Sequence, residues 1–585
     1  MTTNLKSREV VFVGGGLTAG LASRQLVAQG RDVLVLERGR DHRGGPEETI
    51  PNQRDGLRWG VRTHLAQDWA EETYTFRHTT RATALPARSL QAFLPGNGLG
   101  GAANHWNGQT WRWSEYDPIL RTHLQNRYGK GALPADLSVQ DWGVTYAELE
   151  PYHALFEKLF GIAGKAGNIN GRLVAGGNPF EAPRKEDYPQ PPLELTEAGL
   201  VFNEAAARLG YKPFSMPAAN SPRPYTNPDG MSLGQCQYCG HCERFICEAK
   251  AKASPEVLLY PMLLRKSNFE LRLQCHVTHI EYDRAARRAV AVHYVDRVSG
   301  QTYRQPAEVI VLSAFTMTNT RLLLLSKIGA AYDPERRRGV VGRNFCHQTN
   351  SNVFVFMKDR WINPFLASGS SQTVIDEFNN DNFDHSGLGF FGGGYISGYI
   401  SNGRPLETRF LPPGTPQWGT AWKRANADWY AHAFPLLVHG SCYSHPDNYL
   451  SLDPTYTDRF GQPLLRVTFD FRENELRMSK YVTQRAHEIA VATGGVVAPA
   501  VPRKGPYDVR VYQTTHVVGG TAMGADPGTS VVSPHLQHWD AKNLFVVGAS
   551  TYPQNSGYNP TGPLAALALR LGDDLNRYLA RPRVL

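Results

Sequence analysis

Four of the seven cysteines fall within twelve residues: Cys236, Cys239, Cys242 and Cys247. Thiolates in a C-x2-C-x2-C-x4-C run resemble the loops that ligate iron–sulfur clusters. Structural zinc generally uses two separated knuckles, which this run is not. A cluster is the favoured expectation, with zinc or unligated thiols as alternatives. Cys275, Cys346 and Cys442 are scattered and read as core or loop thiols. A second constellation stands near the N-terminus, where Gly14-Gly15-Gly16-Leu17-Thr18-Ala19 follows the apolar run Val10–Val13 and opens a helical pattern through Gln29. Asp32 to Leu36 then reads as a strand ending at Glu37. This is G-x-G-x-x-A inside a strand–helix–strand unit with an acid about 20 residues on, the pattern of a dinucleotide site. Gly14 permits the tight turn, Gly16 lets a pyrophosphate approach the backbone, and Ala19 keeps the helix close to the sheet. Free N–H groups at the helix start favour phosphate, and Glu37 can accept ribose hydroxyls. The motif does not by itself separate FAD from NAD.

Two other stretches carry polar groups amid glycine. Residues 95–113 contain Gly98, Gly100 and Gly101, then Asn104, His105 and Trp106. Near the carboxyl end, His516 sits in THVVGG and Asn559 in GYNPTG. An imidazole titrates near neutral pH and suits proton transfer.

These residues need a large scaffold. The chain has 585 residues, 41% hydrophobic and 20% charged, enough for a sizeable core and too few charges for a disordered chain. The net charge of +9 is spread along the sequence and gives a nucleic-acid role little support, while an acidic partner or a membrane surface stays open. Seven cysteines argue against a disulfide scaffold. No stretch approaches the roughly 20 apolar residues of a membrane span. The first residues pass almost at once into a strand, so neither a signal peptide nor a twin-Arg signal is expected. Helical patches are expected near 147–160 and 197–209, a strand around Val277, a buried strand from Val309, and a helix over Arg321–Ile328. The mixed aromatic, Gly-rich and alternating segments of 350–505 suit an antiparallel sheet. An apolar strand, Leu544–Val547, and a helix from Pro563 close the chain. Nucleotide-binding signals at both ends imply an α/β fold in which a discontinuous Rossmann-like cofactor domain carries an inserted, antiparallel substrate domain. The expected divisions are 1–115 (cofactor domain), 116–230 (insert), 231–349 (Cys loop and cofactor domain), 350–505 (substrate domain) and 506–585 (cofactor domain with the His516 and Asn559 loops).

The chain resembles the glucose–methanol–choline (GMC) flavoprotein oxidoreductases. VVFVGGGLTAGLASRQL…VLVLERG looks like the family's FAD-binding start, and VIVLSAFTMTNTRLLLLSKIG followed by GVVGRNFCHQ looks like its second signature. THVVGGTAMG…NLFVVGASTYPQNSGYNPTGPLAALAL looks like its catalytic end. Within the family, the GGAxxHW loop, the Cys-rich run ending in KASP and GYNPTG resemble the large subunits of bacterial membrane-bound sugar and sugar-acid dehydrogenases. The resemblance implies FAD rather than NAD. It implies His516 as the base that takes the hydroxyl proton while hydride passes to flavin N5, and Asn559 as the group that orients the hydroxyl. It implies flavin contacts from Gly100, Gly101, Asn104, Val277, Gly548 and Ala549, and His105 as a candidate covalent FAD anchor. It further implies a [3Fe-4S] centre on three of Cys236, Cys239, Cys242 and Cys247. It also implies that electrons leave to a cytochrome c or quinone rather than to oxygen, and a one-electron relay would suit a flavin that feeds a haem.

The expected partners are a carbohydrate, gluconate-type substrate, a small subunit bearing a twin-Arg signal, and a cytochrome c subunit. No nucleic acid is expected, and membrane contact comes only through a partner. The location would then be the periplasmic face of the inner membrane, or the cytoplasm without such a partner. Alternative activities are an oxygen-using pyranose or glycoside oxidase and a glycoside 3-dehydrogenase. A non-catalytic electron carrier would need no base, and a hydrolase lacks the G-x-S-x-G elbow here.

Overall fold

The computed structural model describes residues 2–45, 65, 73–88, 93–400, 410–512, 514–582 and 585. Along the chain, strands Thr2–Asn4 (β1) and Arg8–Val13 (β2) precede helix Leu17–Ala28 (α1) and strand Val33–Leu36 (β3). Phe214–Ser215 (β4), Phe269–Arg272 (β5), Cys275–Asp283 (β6), Arg288–Asp296 (β7) and Thr302–Leu312 (β8) follow, then helix Thr316–Ser326 (α2). Thr349–Phe356 (β9), Thr373–Ile375 (β10), Gly394–Gly398 (β11) and Ala433–Gly440 (β12) lead to helix Glu473–Ala492 (α3). Val496–Val497 (β13), Leu544–Val546 (β14) and helix Thr561–Ala580 (α4) complete the set.

Two sheets carry the architecture. The first has the order β5-β3-β2-β8-β7-β6, with β1 and β14 also paired to β8. Its parallel core, β5, β3, β2, β8 and β14, gathers strands from the start, middle and end of the sequence. Val10 to Val13 and Val33 to Leu36 are buried throughout. Continuous apolar runs are what a parallel sheet covered on both faces requires. Helices α1 and α4 pack together. Gly572 permits this, because a Cβ there would stand 2.5 Å from Gln25 Cβ. The second sheet, β13-β9-β12-β11-β10-β4, is antiparallel and is backed by α3. Its strands come from Phe214 onward and from 349–497, as the mixed patterning of 350–505 implied; residues 401–409 of that region lie outside the described residues.

The helical patches appear as Tyr146–Phe160 and Glu197–Arg208. Helix α2 begins five residues before the expected Arg321. Its first turn is polar because it bonds to the neighbouring strands: Asn319 accepts from the Ala314 N–H at 2.9 Å and donates to the Val547 carbonyl at 3.2 Å. Apolar periodicity is therefore blind to that turn.

Candidate active site

A cavity of about 970 Å³ is lined by residues of both sheets. Gly14, Gly16, Glu37, Gly100, Gly101, His105, Val277, Gly548, Ala549, His516 and Asn559, spread over most of the sequence, all line it. The starts of α1, α2 and α4 also open on it, at Gly16, Phe315 and Pro560, and none has a side-chain cap or an acid in its first turn. Uncapped N–H groups and three positive dipole ends favour an anionic ligand. At Gly16 a Cβ would meet nothing within 4 Å, so the backbone faces open space. Gly100 donates to the Gly15 carbonyl at 2.9 Å, joining the two glycine loops into one cradle. Glu37 is clamped there, with Oε2 accepting from Gly15 N at 2.7 Å and Oε1 from Gly39 N at 2.8 Å. Burial pushes its pKa up, against the pull of those two N–H donors. These features fit FAD: the α1 start would hold its pyrophosphate and Glu37 its ribose.

Ala19 and Asn104 do not line the cavity. Ala19 is fully buried in α1, where its small side chain serves packing. Asn104 is buried in the loop, and its amide donates to the Leu99 carbonyl at 2.6 Å.

His516 and Asn559 meet, with Asn559 Nδ2 3.1 Å from His516 Nε2. The surrounding hydrogen bonds fix their proton positions. Gln348 Nε2 donates to the carbonyls of Ser556 and Tyr558 at 3.1 and 3.0 Å, so its Oε1 must accept. That oxygen lies 2.5 Å from His516 Nδ1, which therefore carries the ring proton and leaves Nε2 unprotonated, its lone pair accepting from the Asn559 amide. Trp111 Nε1 is a donor only and reaches Asn559 Oδ1 at 3.0 Å, so the Asn559 amide nitrogen must point toward His516 and Gln109. Trp113 Nε1 donates to the Asn559 carbonyl at 3.0 Å. Between the two tryptophans, Arg112 points to the other side into buried Glu157 and Glu150. This alternation is what an extended W-R-W segment gives. Tyr395 donates its hydroxyl to Asn559 Oδ1 at 3.0 Å, and Tyr558 donates to buried Asp376. Burial, with His439 and His347 nearby, holds His516 well below the ordinary histidine pKa. The imidazole is thus neutral and ready to accept a proton.

The opposite wall belongs to the antiparallel sheet. Asn350 pairs with His439 and Asn352 with Leu437 across β9 and β12, and these four alternate residues face the cavity. His439 stacks on Tyr395 at 4.9 Å and lies 6.0 Å from the His516 ring. Burial lowers its pKa to about 3.

The cysteine loop lies directly behind the glycine loop. Buried Lys252 ties them, its Nζ donating among the carbonyls of Asn104, Trp106, Cys242 and Phe245 at 2.7–3.2 Å. Arg244 N donates to the His105 carbonyl at 2.8 Å. Cys242 is buried, while Cys236, Cys239 and Cys247 are half-buried. Asn220 Nδ2 stands 3.4 Å from Cys242 Sγ. Burial pushes the Cys242 thiol up to about 12, and Cys236 and Cys239 are raised as well. The loop therefore does not hold thiolates unaided; thiolate ligation there needs the positive charge of a bound group. Among the described residues, no group of three or more His, Cys, Asp or Glu side chains is arranged to hold a metal ion. Cys275, Cys346 and Cys442 are buried, and the Cys346 and Cys442 thiols point at the Asn344 and Tyr443 carbonyls.

Gln348, Gln109, Trp111, Trp113, Tyr395 and Lys252 were not singled out from the sequence. The W-R-W alternation and the Gln one residue after His347 were the available signals.

A dinucleotide cradle facing a neutral imidazole suits an oxidoreductase. Residues 216–350 and 444–568 each match the GMC oxidoreductase family. The chain is 41% identical over 577 residues to the gluconate 2-dehydrogenase flavoprotein of Pantoea cypripedii, covering 97% of this chain and 93% of that one. It is 26% identical to the fructose dehydrogenase large subunit of Gluconobacter japonicus, over 98% of each chain. Among solved structures, formate oxidase superposes with a TM-score of 0.61 at 15% identity, covering 98% of this chain and 99% of that one. The chain belongs to the GMC oxidoreductase family, and is an FAD-dependent enzyme acting on CH–OH donors. Among the described residues no helix is long and apolar enough to cross a membrane.

Proposed function

We propose that the chain is the flavoprotein subunit of a sugar or sugar-acid dehydrogenase, with D-gluconate as the favoured substrate. The observation that carries this reading is the fixed tautomer of His516, whose unprotonated Nε2 lies beside the Asn559 amide in a cavity able to hold FAD. The 41% identity to a gluconate 2-dehydrogenase flavoprotein supports the substrate class. His516 takes the proton of the reacting hydroxyl at Nε2. As the ring becomes cationic, Gln348 Oε1 holds its Nδ1 proton. The substrate oxygen would come between Asn559 Nδ2 and His516 Nε2, taking the amide N–H now given to the imidazole, which sets its angle to the base. Gly16, Gly100, Gly101, Val277, Gly548 and Ala549 would hold FAD, which supplies a two-electron acceptor for the hydride leaving the carbinol carbon.

The second part of the proposal concerns electron exit. Cys236, Cys239, Cys242 and Cys247 would supply the ligands of an iron–sulfur cluster, with [3Fe-4S] using three of them. It would pass single electrons to a cytochrome c or quinone, on the periplasmic face and beside a small twin-Arg-signal subunit. The Cys loop's attachment to the glycine loop through Lys252 supports this relay. Covalent attachment of FAD at His105 is tested by intact mass: added FAD mass on the denatured chain supports it, and its absence overturns it. The activity is tested by anaerobic stopped-flow mixing of holoenzyme with sugars, polyols and aldonates. Bleaching of the flavin absorbance by D-gluconate is expected. No bleaching by any carbohydrate defeats the dehydrogenase reading, and one hydrogen peroxide per turnover in air makes the enzyme an oxidase.

A further inference from the structure

The cavity contains a cation that no carboxylate among the described residues balances. Four cationic side chains line it: Arg38, Arg244, Arg503 and Lys504. Arg244 stands 3.6 Å from the Glu243 carboxylate and lies over the Tyr512 ring. Arg38 belongs to the dinucleotide end, next to Glu37. Lys504 is exposed at the rim. Arg503 differs from all three. Among the described residues no carboxylate lies within ion-pair distance of it, and its Nε donates to the backbone carbonyl of Asn350.

The position of Arg503 is fixed by backbone. Val501 N donates to the Asn352 carbonyl at 3.1 Å, and Arg503 N donates to Ser479 Oγ at 2.9 Å. Residues 501–503 thus run antiparallel beside β9, which places Arg503 next to Asn350. Asn350 is two residues beyond Gln348, roughly 7 Å along an extended strand. Gln348 is the residue that orients His516, so the guanidinium stands over the reacting end of the cavity and not over the dinucleotide end. Burial without a compensating carboxylate lowers the Arg503 pKa to about 10, which still leaves it charged at neutral pH. A partly buried cation with no counter-ion is costly unless a ligand supplies one. Its Nε is occupied by the Asn350 carbonyl, and the terminal amino groups have no hydrogen-bond partner among the described residues. Two parallel N–H groups match a carboxylate.

We infer that Arg503 is the specificity-determining residue that binds the carboxylate of a sugar-acid substrate, with Asn350 and His439 beside it on the same wall to meet the hydroxyls. This rests on the reading of the cavity as a carbohydrate-oxidising site, and it adds the group that separates an acidic sugar from a neutral one. Arg503 is not a catalytic residue; it acts on which molecule is held against His516.

The test compares holoenzyme variants on D-gluconate, D-gluconamide and sorbitol, with FAD content and thermal midpoint measured on each. Charge-assisted hydrogen bonds of this kind correspond to roughly 10- to 150-fold in affinity. Arg503→Gln is expected to lower kcat/KM for D-gluconate by about that factor, chiefly through KM, while activity on gluconamide and sorbitol stays near wild type. Arg503→Lys, which keeps the charge and loses the fork, is expected to fall between the two. An equal loss on acid and neutral substrates, with FAD retained, overturns the inference and makes Arg503 a structural tie to Asn350. Should Arg503→Gln fail to bind FAD, the ratio of D-gluconate to gluconamide activity in Arg503→Lys decides, and an unchanged ratio overturns the inference. Wild-type enzyme that oxidises neutral sugars and no aldonate defeats both the inference and the aldonate substrate. Wild-type enzyme that oxidises D-gluconate with an unchanged acid-to-neutral ratio in the variants defeats the inference alone.

Discussion

The His516 end of the cavity and the cysteine loop both adjoin the cavity but are finished in different ways. Around His516, each polar atom that sets the chemistry has a partner that fixes its direction: Gln348 sets the tautomer, Trp111 sets the Asn559 amide, and two carbonyls set Gln348. Around Cys242 the thiols are raised by burial, and no group of side chains is arranged to hold a metal ion among the described residues. A proton-transfer site can be completed by hydrogen bonds within the chain. Thiolate ligation cannot be completed that way, because burying several negative sulfurs together is unfavourable unless a metal group neutralises them.

Substitutions that touch one region and spare the other sharpen this contrast. The largest effect is expected from Cys242→Ser, which should abolish reduction of a cytochrome c or quinone acceptor and lower iron and acid-labile sulfide content. D-Gluconate should still bleach the flavin in this variant. Undiminished acceptor reduction in this variant and in Cys236→Ser, Cys239→Ser and Cys247→Ser alike would show that electrons do not pass through this loop. His516→Ala should do the reverse: substrate-driven bleaching slows by roughly 10²–10⁴-fold, while FAD and iron contents hold. Retention of wild-type bleaching would remove His516 from the reaction. Gln348→Leu leaves the imidazolium without its acceptor and should cost about 10- to 150-fold in kcat, the range for a hydrogen bond to a charged group. A Gln348→Leu enzyme with normal kcat and raised KM would place Gln348 in binding and not in orienting the base.

The smallest effect is on pH. His516 titrates below its ordinary value because burial disfavours its charged form, and His439 and His347 add to this. A base with a lowered pKa stays deprotonated as the pH falls. The acid limb of kcat/KM should therefore lie well below the ordinary histidine value of 6.5. An acid limb at or above that value would show that the site ionises differently from the buried imidazole described here.

Much of this was legible in the chain. The strand–glycine loop–helix start could be read because every part of it is local: a buried strand needs a continuous apolar run, and a tight turn against a phosphate needs glycine. The cysteine spacing was equally local. Gln348 was not legible as an orienting group, because its role depends on the Ser556 and Tyr558 carbonyls some 200 residues away. Trp111 and Trp113 were visible as aromatic residues but not as the clamps of Asn559, about 450 residues distant. Asn104 was expected at the ring and is turned inward by the Leu99 carbonyl, a contact that composition does not encode.

The sequence by itself determined the glycine turns, the apolar strands, the thiol spacing and the two loops that carry an imidazole and an amide. Only the tertiary structure decided which nitrogen of His516 is unprotonated, which way the Asn559 amide points, and that Arg503 faces the cavity with no carboxylate in ion-pair distance among the described residues. The physical reason is range. Backbone conformation and burial follow from neighbouring residues, whereas the direction of a proton and the balance of a charge are fixed by groups that meet only when distant segments pack.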